Sequence, residues 1–315
     1  MPLDFSSLND EPRLLIEAEL EPVQGDRFQP TGFPNLGHAR YESPDGGGAM
    51  ILVESAQSMA NRLEAVCWDE VSEDWVGPLK GLPYVKVVER DGDKEKFVTS
   101  SILEAHRINS EYIARSQEFK ETVEKMIGFQ KDRPFEIRKQ LVPALLKFDI
   151  NSLIHGVFLE EVAGVIRLPR VLSAFIEAND VKEARSGGVK LNRVEPSLKE
   201  GEGNVPYPRD EWVAANMVAY FNVDLRQIYA FGLGDEVRQL LIALALFKIQ
   251  KFLTVGLRLR TACDLDLTRI TVTRPKSFTL PDLADLEAEL PELIESAGAK
   301  GLFGEPRVLT VTYRK

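Results

Sequence analysis

The sequence predicts an α+β fold in which helices cover one face of an antiparallel sheet. Two observations lead to this prediction: segments with the alternation of strands occur near both ends of the chain, and segments with helical periodicity separate them. No internal repeat of solenoid length is visible. The chain of 315 residues is 44% hydrophobic, which is enough to build a sizeable core.

Residues 13–20 are predicted as the first strand, because apolar side chains alternate with acidic ones toward its end. Residues 21–50 follow as a long loop rich in Gly, Pro, Asn, Gln and Asp. A loop of this length is uncommon in a compact domain unless it has a function or is disordered. The loop is therefore expected to be either functional or disordered.

The loop contains Gln24, Arg27, Phe28 and Gln29. Aromatic and guanidinium groups stack on nucleotides, and amides form hydrogen bonds with them. These residues are therefore candidate nucleic-acid contacts. The alternative, about equally supported by the sequence, is that Phe28 and Phe33 pin the loop to the core.

Residues 53–64 are predicted as a helix, because apolar side chains recur at steps of three and four. Ser55 is its predicted N-cap. The opposite face carries polar side chains four residues apart, in the pairs Gln57 with Asn61 and Ser58 with Arg62. This face is suited to holding the backbone of a ligand. The alternative is a surface helix packed under a loop.

The remaining elements complete the predicted fold. A hairpin is predicted from 85–90 and 97–99, with its turn between them, and 101–148 are mainly helical with a break at Arg133-Pro134. Residues 154–159 are predicted as a short buried strand, and 163–208 as an excursion from the core such as a long hairpin or flap. Helices are also predicted at 211–220, 236–253 and 280–297, and strands at 269–273 and 307–314.

A second candidate contact is the segment from Gly256 to Thr261. In an extended conformation Arg258 and Arg260 project to the same side, where two guanidinium groups can hold phosphate oxygens. Gly256 permits close approach of the backbone, and Thr261 adds a hydroxyl group. The equally supported alternative is that both arginines form salt bridges with the acidic residues nearby, namely Asp264 and Asp266.

The formal net charge of −10 argues against a protein coated with basic residues for binding duplexes. It permits a local basic groove, because a phosphate responds mainly to charges within a Debye length of about 8 Å. Basic residues concentrate in two windows, 167–193 and 258–276. The first window holds Arg167, Arg170, Lys190 and Arg193.

Several classes of function lack support in the sequence. No nucleophile elbow, Walker loop or Cys/His signature is present, and the two cysteines and three histidines lack metal-site spacing. Neither a cofactor nor a metal is therefore predicted. Asp26 and His38 form a minor alternative as an acid–base pair for RNA cleavage. The first residues show no secretory pattern, and charged and amide residues interrupt the most apolar window, 240–257. No membrane contact and a cytoplasmic location are predicted.

Five segments together resemble a known family: residues 24–34, 53–64, 154–158, 186–190 and 256–264. The first, second and last are long and unusual enough to be specific. They are similar to the backbone protein of type I-G (formerly I-U) CRISPR systems, a RAMP protein of the Cas-seven family. The resemblance covers most of the chain.

The resemblance implies an RRM-like (ferredoxin-like) RAMP palm with an antiparallel sheet, a helical insertion and a projecting thumb. It divides the chain into a palm at 10–100, 150–165 and 210–315, a helical insertion at 101–149 and a thumb-like excursion at 166–209.

The resemblance also implies a non-catalytic subunit that binds CRISPR guide RNA and repeats head to tail along it in a Cascade-like complex for antiviral defence. The other implied partners are further Cascade subunits and a target nucleic acid, expected to be DNA, that pairs with the guide. The alternative is an endoribonuclease that cuts bound target RNA through Asp26. The RNA-binding residues predicted from the resemblance and from the patterns above are Gln24, Arg27, Phe28, Gln29, Ser55, Gln57, Ser58, Asn61, Arg62, Arg167, Arg170, Lys190, Arg193, Gly256, Arg258, Arg260 and Thr261.

Overall fold

The computed structural model describes residues 3–33, 35–44, 46–92, 94–130, 132–160, 166–190, 192–195, 197 and 205–313. The strands are β1 (Arg13–Pro22), β2 (Gly32–Phe33), β3 (Gly37–His38), β4 (Arg40–Glu42), β5 (Ala49–Glu54), β6 (Trp68–Asp69), β7 (Asp74–Trp75), β8 (Tyr84–Asp91), β9 (Lys94–Ser100), β10 (Val157–Leu159), β11 (Ile166–Leu168), β12 (Leu172–Asn179), β13 (Lys182–Glu183), β14 (Ser186–Lys190), β15 (Val205–Arg209), β16 (Trp212–Val213), β17 (Asn216–Asp224), β18 (Arg258–Arg260), β19 (Cys263–Arg274) and β20 (Val308–Thr312).

The α-helices are α1 (Ala56–Ala65), α2 (Glu111–Ala114), α3 (Gln117–Met126), α4 (Ile137–Phe148), α5 (Asn151–His155), α6 (Leu225–Ala230), α7 (Asp235–Val255) and α8 (Leu283–Ala299). Single 3₁₀ turns cover Ser6–Leu8, Gly77–Leu79 and Arg107–Asn109. The helices of the 101–148 segment and α8 occur where the sequence predicts them.

The main sheet, within the described part of the chain, has seven strands in the order β18–β19–β1–β17–β12–β5–β4. Its pairings are antiparallel. Strand β1 lies inside the sheet, where Ile16 is opposite Phe221 of β17 and Val272 of β19. The predicted α+β class with an antiparallel sheet is confirmed.

One face of this sheet is packed into the core. Leu14, Ile16 and Ala18 of β1 are buried, and every second residue of β12 and β17 is buried with them. The intervening residues stay half-buried on the other face, where Glu17 and Glu19 lie. Alternation of this kind is what a sheet with one covered face requires.

Helix α7 is the central helix of the covered side. Its residues from Leu240 to Ile249 are buried without interruption, so it is enclosed on all sides rather than amphipathic. Nothing among the described helices has both the length and the apolar character that crossing a membrane requires. A smaller sheet, β20–β8–β9, contains a parallel pair, β20 with β8.

Two predicted elements are wrong. Residues 211–220 are not helical, because β17 begins at Asn216 and pairs with both β1 and β12. Its buried residues alternate from Met217 to Val223, and pairing on both edges selects the strand. Residues 154–159 are a helix end followed by a strand, because Gly156, with φ of 75°, separates α5 from β10.

The predicted excursion also needs a correction. Strand β12, which falls inside the 166–209 range assigned to the thumb, is a strand of the main sheet between β17 and β5. No strand is predicted at this position from the sequence, although the residues of β12 are alternately buried and half-buried in the structure. The part of this range outside the main sheet includes β11, which forms a short antiparallel hairpin with the preceding β10, and the β14–β15 ribbon. Residues 191, 196 and 198–204 of the predicted thumb lie outside the described residues.

Candidate nucleic-acid interface

Helix α1 is arranged as its sequence pattern predicts. Its N-cap is Ser55, whose hydroxyl oxygen accepts a hydrogen bond from the Ser58 backbone N–H at 3.3 Å. Met59 and Leu63 are buried, whereas Gln57 and Asn61 are exposed on the opposite side. The helix therefore presents two amide side chains to solvent.

Arg62 and Arg260 converge on one buried carboxylate, that of Glu54, which is 1% exposed. Arg62 Nη2 is 3.3 Å from Glu54 Oε2 and donates to the Leu259 carbonyl at 2.8 Å. Arg260 also contacts the Glu54 carboxylate, and its Nη1 donates to the Gln29 carbonyl at 2.8 Å. Two positive charges thus share one negative charge, and about a quarter of each arginine side chain stays exposed.

The predicted pair of free guanidinium groups at 258 and 260 needs a correction. Leu257 and Leu259 are buried as predicted, but a register irregularity separates Arg258 from Arg260, and Arg260 turns inward to Glu54. Arg258 is 72% exposed and lies 3.8 Å from Asp264, so the alternative of a salt bridge is confirmed for this residue.

Gly256 has a packing role, and its predicted contact with RNA stays a prediction. It ends α7, and its N–H donates to the Phe252 carbonyl at 2.7 Å. A Cβ at this position would lie 2.6 Å from Phe252 Cδ2, so the close approach that glycine permits is to the chain itself. Thr261, the next predicted contact, is exposed.

The long loop is pinned to the core by Phe28, which is 1% exposed. The backbones of Phe28 and Trp212 exchange two N–H···O bonds of 2.9 Å. The prediction that Phe28 stacks on a nucleotide is wrong, and the alternative is confirmed because the apolar ring gains more from burial. The Phe33 side chain lies outside the described part of the structure.

Two other predicted contacts of the long loop, Gln24 and Arg27, are exposed. Arg27 Nε is 3.8 Å from a Glu211 carboxylate oxygen.

Two cavities flank this region. The first, which we name the loop cleft, has a volume of about 420 Å³ and lies between the long loop, the end of β15 and β18. Its polar lining comprises Gln29, Thr31, His38, Arg209, Asp210 and Arg260.

The second cavity, which we name the hairpin cleft, has a volume of about 610 Å³ and lies between α1 and the β10–β11 hairpin. It brings Gln57 and Asn61 together with Arg167 and Arg170, which the sequence treats as separate groups. The remaining lining residues that the structure describes are Ala105, His106, Arg107, Asn109, His155, Gly156, Val157, Phe158, Leu168 and Pro169.

The charged groups of the hairpin cleft are held firmly. The Arg167 guanidinium lies over the Phe158 ring, 4.6 Å from its centroid, and Arg170 Nη1 donates to the Ala56 carbonyl of α1 at 2.7 Å. Arg107 forms a double hydrogen bond with the buried Glu64 carboxylate, at 2.6 and 2.8 Å. Burial, followed by the charge of Arg107, lowers the pKa of Arg170.

His155 forms part of the lining and is 1% exposed. Burial lowers the pKa of its imidazole well below the usual value, and the nearby charges of Lys248, Arg107 and Arg170 lower it further. The ring is therefore neutral. Among the described residues, neither of its nitrogens has a hydrogen-bond partner.

Lys190 and Arg193 are exposed but do not belong to either cleft as described. The interpretation of the sequence missed Glu54, Phe158 and Arg209. A lone acidic residue at a strand end carries no signal of its own, and Phe158 stood in a segment assigned to a buried strand.

The acid–base alternative gains no geometric support. Asp26 is exposed, and His38 Nδ1 is 3.0 Å from the Thr31 carbonyl oxygen. Within the described ranges, no group of three His, Cys, Asp or Glu side chains is arranged to hold a metal ion.

Comparison with known proteins gives one family. The family model described as CRISPR-associated protein GSU0053 matches residues 14–183. No curated protein matches the sequence. Solved structures that are similar include a chain of a CRISPR RNA-guided surveillance complex in a pre-nicking state, with 13% identity, coverage of 92% of this chain and 89% of that chain, and a TM-score of 0.45. Another is Csc2 of Thermofilum pendens, with 11% identity, coverage of 93% and 79%, and a TM-score of 0.32.

Proposed function

Because the chain belongs to the CRISPR-associated protein GSU0053 family, we propose that it is a non-catalytic backbone subunit that binds guide RNA in a type I Cascade-like complex. Copies of the chain lie head to tail along the guide, together with other Cascade subunits. A DNA target then pairs with the guide. Base pairing supplies the sequence specificity, so the protein itself needs mainly backbone contacts.

The observation that carries the proposal is the placement of cationic and amide groups around α1. Gln57 and Asn61 are exposed on the helix. Arg167 and Arg170 line the hairpin cleft with them, and Arg260 lines the loop cleft. These groups suit phosphate and sugar oxygens. The guide therefore follows α1 from the loop cleft to the hairpin cleft.

The β14–β15 ribbon supports a thumb in this arrangement. It lies outside the main sheet and carries the exposed Lys190 at one end. Exposed Tyr207 lies beside Arg209, whose guanidinium is 5.8 Å from the ring centroid. In the proposed complex the main sheet is the palm, and the ribbon separates bases of the guide.

The experiment begins with expression of the chain together with a CRISPR array. We expect the purified protein to retain RNA, seen in its 260/280 absorbance ratio and identified by sequencing. A second measurement compares RNA affinity at several salt concentrations for wild type and for Arg170→Ala with Arg260→Ala. Loss of two phosphate contacts to a single strand lowers the slope of log affinity against log salt by between one and two units.

The matched control is Arg269→Ala, which removes an exposed arginine paired with Glu19 on β1, away from both clefts. Its slope stays that of wild type. An unchanged slope in the double variant, or purified protein free of RNA, contradicts the proposal. Cleavage of complementary RNA that Asp26→Ala abolishes contradicts the non-catalytic assignment.

A further inference from the structure

The hairpin cleft differs in charge from the protein as a whole. The chain has 49 acidic and 39 basic residues, yet no Asp or Glu is among the described residues that line the cleft. Three arginines line it, and one of them, Arg107, is neutralised by Glu64. For Arg167 and Arg170, the described residues provide no carboxylate at salt-bridge distance. The cleft therefore favours a ligand that carries negative charge.

The geometry of Arg167 indicates a flat ligand. Its guanidinium carbon lies over the Phe158 ring, 4.6 Å from the ring centroid, and the side chain remains exposed. A guanidinium plane held in this way presents its second face to an aromatic ring, as Arg does when it stacks on unpaired bases. A simple anion site needs charge but not a stacked plane.

The amides across the cleft provide hydrogen bonds for the edge of such a ring. Gln57 and Asn61 are one turn apart on α1 and exposed, and in the part of the chain that the structure describes their side chains have no hydrogen-bond partner. An amide has both donors and an acceptor, which matches the mixed edge of a nucleobase. The neutral ring of His155 keeps the adjoining wall polar without adding charge.

From these three features we infer that the hairpin cleft takes a single unpaired nucleobase of the bound strand. The base stacks on Arg167, its edge contacts Gln57 and Asn61, and its phosphate lies toward Arg170. The cleft volume of about 610 Å³ is within the range of small-ligand pockets. This inference rests on the proposed function and adds a base contact to a surface that otherwise holds only the RNA backbone.

The test compares two single-stranded RNAs of equal length, one intact and one with abasic positions throughout its central part. Both carry the same phosphates, so a protein that holds only the backbone binds them equally. We expect the intact RNA to bind wild type about tenfold more tightly, since one stacked base contributes on the order of 1–3 kcal/mol. In Gln57→Ala with Asn61→Ala, and in Arg167→Lys, the ratio of the two affinities falls toward one.

Arg167→Lys keeps the charge and removes the flat plane, so it separates stacking from electrostatics. The matched control is Gln117→Ala, an exposed amide on α3 outside both clefts, for which the ratio stays that of wild type. Equal affinities of wild type for both RNAs, or an unchanged ratio in the cleft variants, overturn the inference and leave the proposed function intact. Absence of binding to either RNA overturns the proposed function and this inference with it.

Discussion

Glu54 couples three parts of the interface through one side chain. Its carboxylate forms an ion pair with Arg62 of α1 and accepts a hydrogen bond from Arg260 of β18, and Arg260 in turn donates to the Gln29 carbonyl of the long loop. A buried carboxylate is costly unless it is fully paired. Here the shared carboxylate fixes two arginines whose side chains stay about a quarter exposed.

Replacing Glu54 with Gln tests this coupling. The change leaves two guanidinium groups without their shared counter-charge, and breaking a buried ion pair in this way costs about 3 kcal/mol. Urea denaturation of the variant checks the expected loss. The matched control is Glu19→Gln, which breaks the exposed pair with Arg269 and is expected to change the free energy of unfolding very little. Equal stabilities of both variants contradict the prediction.

The burial of Asp149 predicts that the stability of the folded protein depends on pH. It is fully buried and accepts hydrogen bonds from Ser101 and Ser152. Burial raises the pKa of its carboxyl from 3.8 to about 6. The folded state thus keeps a proton that the unfolded state releases near pH 4, so this residue's contribution to stability falls as the pH rises from about 4 to about 6.

The variant Asp149→Asn removes this titration. The free energy of unfolding of wild type, measured relative to the variant, is expected to decrease across that pH interval by an amount on the order of 3 kcal/mol. Urea denaturation at several pH values measures the difference. A difference that does not change with pH, or that increases, contradicts the assignment.

At the scale of elements, the turn at Gly156 builds one wall of the hairpin cleft. Its φ of 75° reverses the chain between α5 and β10. A Cβ would lie 2.6 Å from the Leu168 carbonyl oxygen and 3.0 Å from the Arg170 backbone nitrogen. The absence of a side chain therefore allows the backbone to pass close to the segment that carries Arg170.

Gly156→Ala is expected to lower both stability and RNA affinity. The clash is with backbone atoms, which cannot move aside without shifting Arg170, and the positive φ adds strain. Thermal unfolding and RNA binding measure the two effects. Gly232→Ala is the control, because its φ is 67° but no atom lies within 4 Å of its Cβ position. The control loses some stability from strain alone and keeps its RNA affinity. Equal losses in both variants contradict the argument.

At the scale of the whole molecule, acidic and basic groups are segregated. The exposed sheet face carries Glu17, Glu19 and Glu177, and residues 282–295 contain several acidic residues and no basic one. The hairpin cleft, in contrast, is lined by arginines. A protein with a net charge of −10 can therefore bind a polyanion along one confined path.

This segregation predicts selectivity for single strands. A duplex is wide and stiff, so it cannot follow the clefts and meets the acidic surface around them, whereas a flexible single strand can enter. Single-stranded RNA is expected to bind at least tenfold more tightly than blunt duplex DNA of the same length at physiological salt. Competition binding with both nucleic acids checks this. Equal affinities contradict it.

The sequence predicted the α1 face, the N-cap Ser55, the strand β1, the hairpin β8–β9 and α8, because each depends on local periodicity or capping. It failed for residues 211–220, where helical spacing and strand alternation both fit and pairing with β1 and β12 decided. It also left two roles open for Phe28, namely stacking on a nucleotide and anchoring the long loop in the core. Burial of the ring, which depends on the distant Trp212, resolved that choice.

By itself the sequence determined the α+β class, the polar face of α1 and the resemblance to a CRISPR-associated family. Only the tertiary structure decided that Arg260 turns inward to Glu54, and that Arg167 and Arg170 face Gln57 and Asn61 across one cleft. The physical reason is that periodicity records which side of an element is buried. Which arginine meets a carboxylate depends on elements separated by more than a hundred residues in the chain.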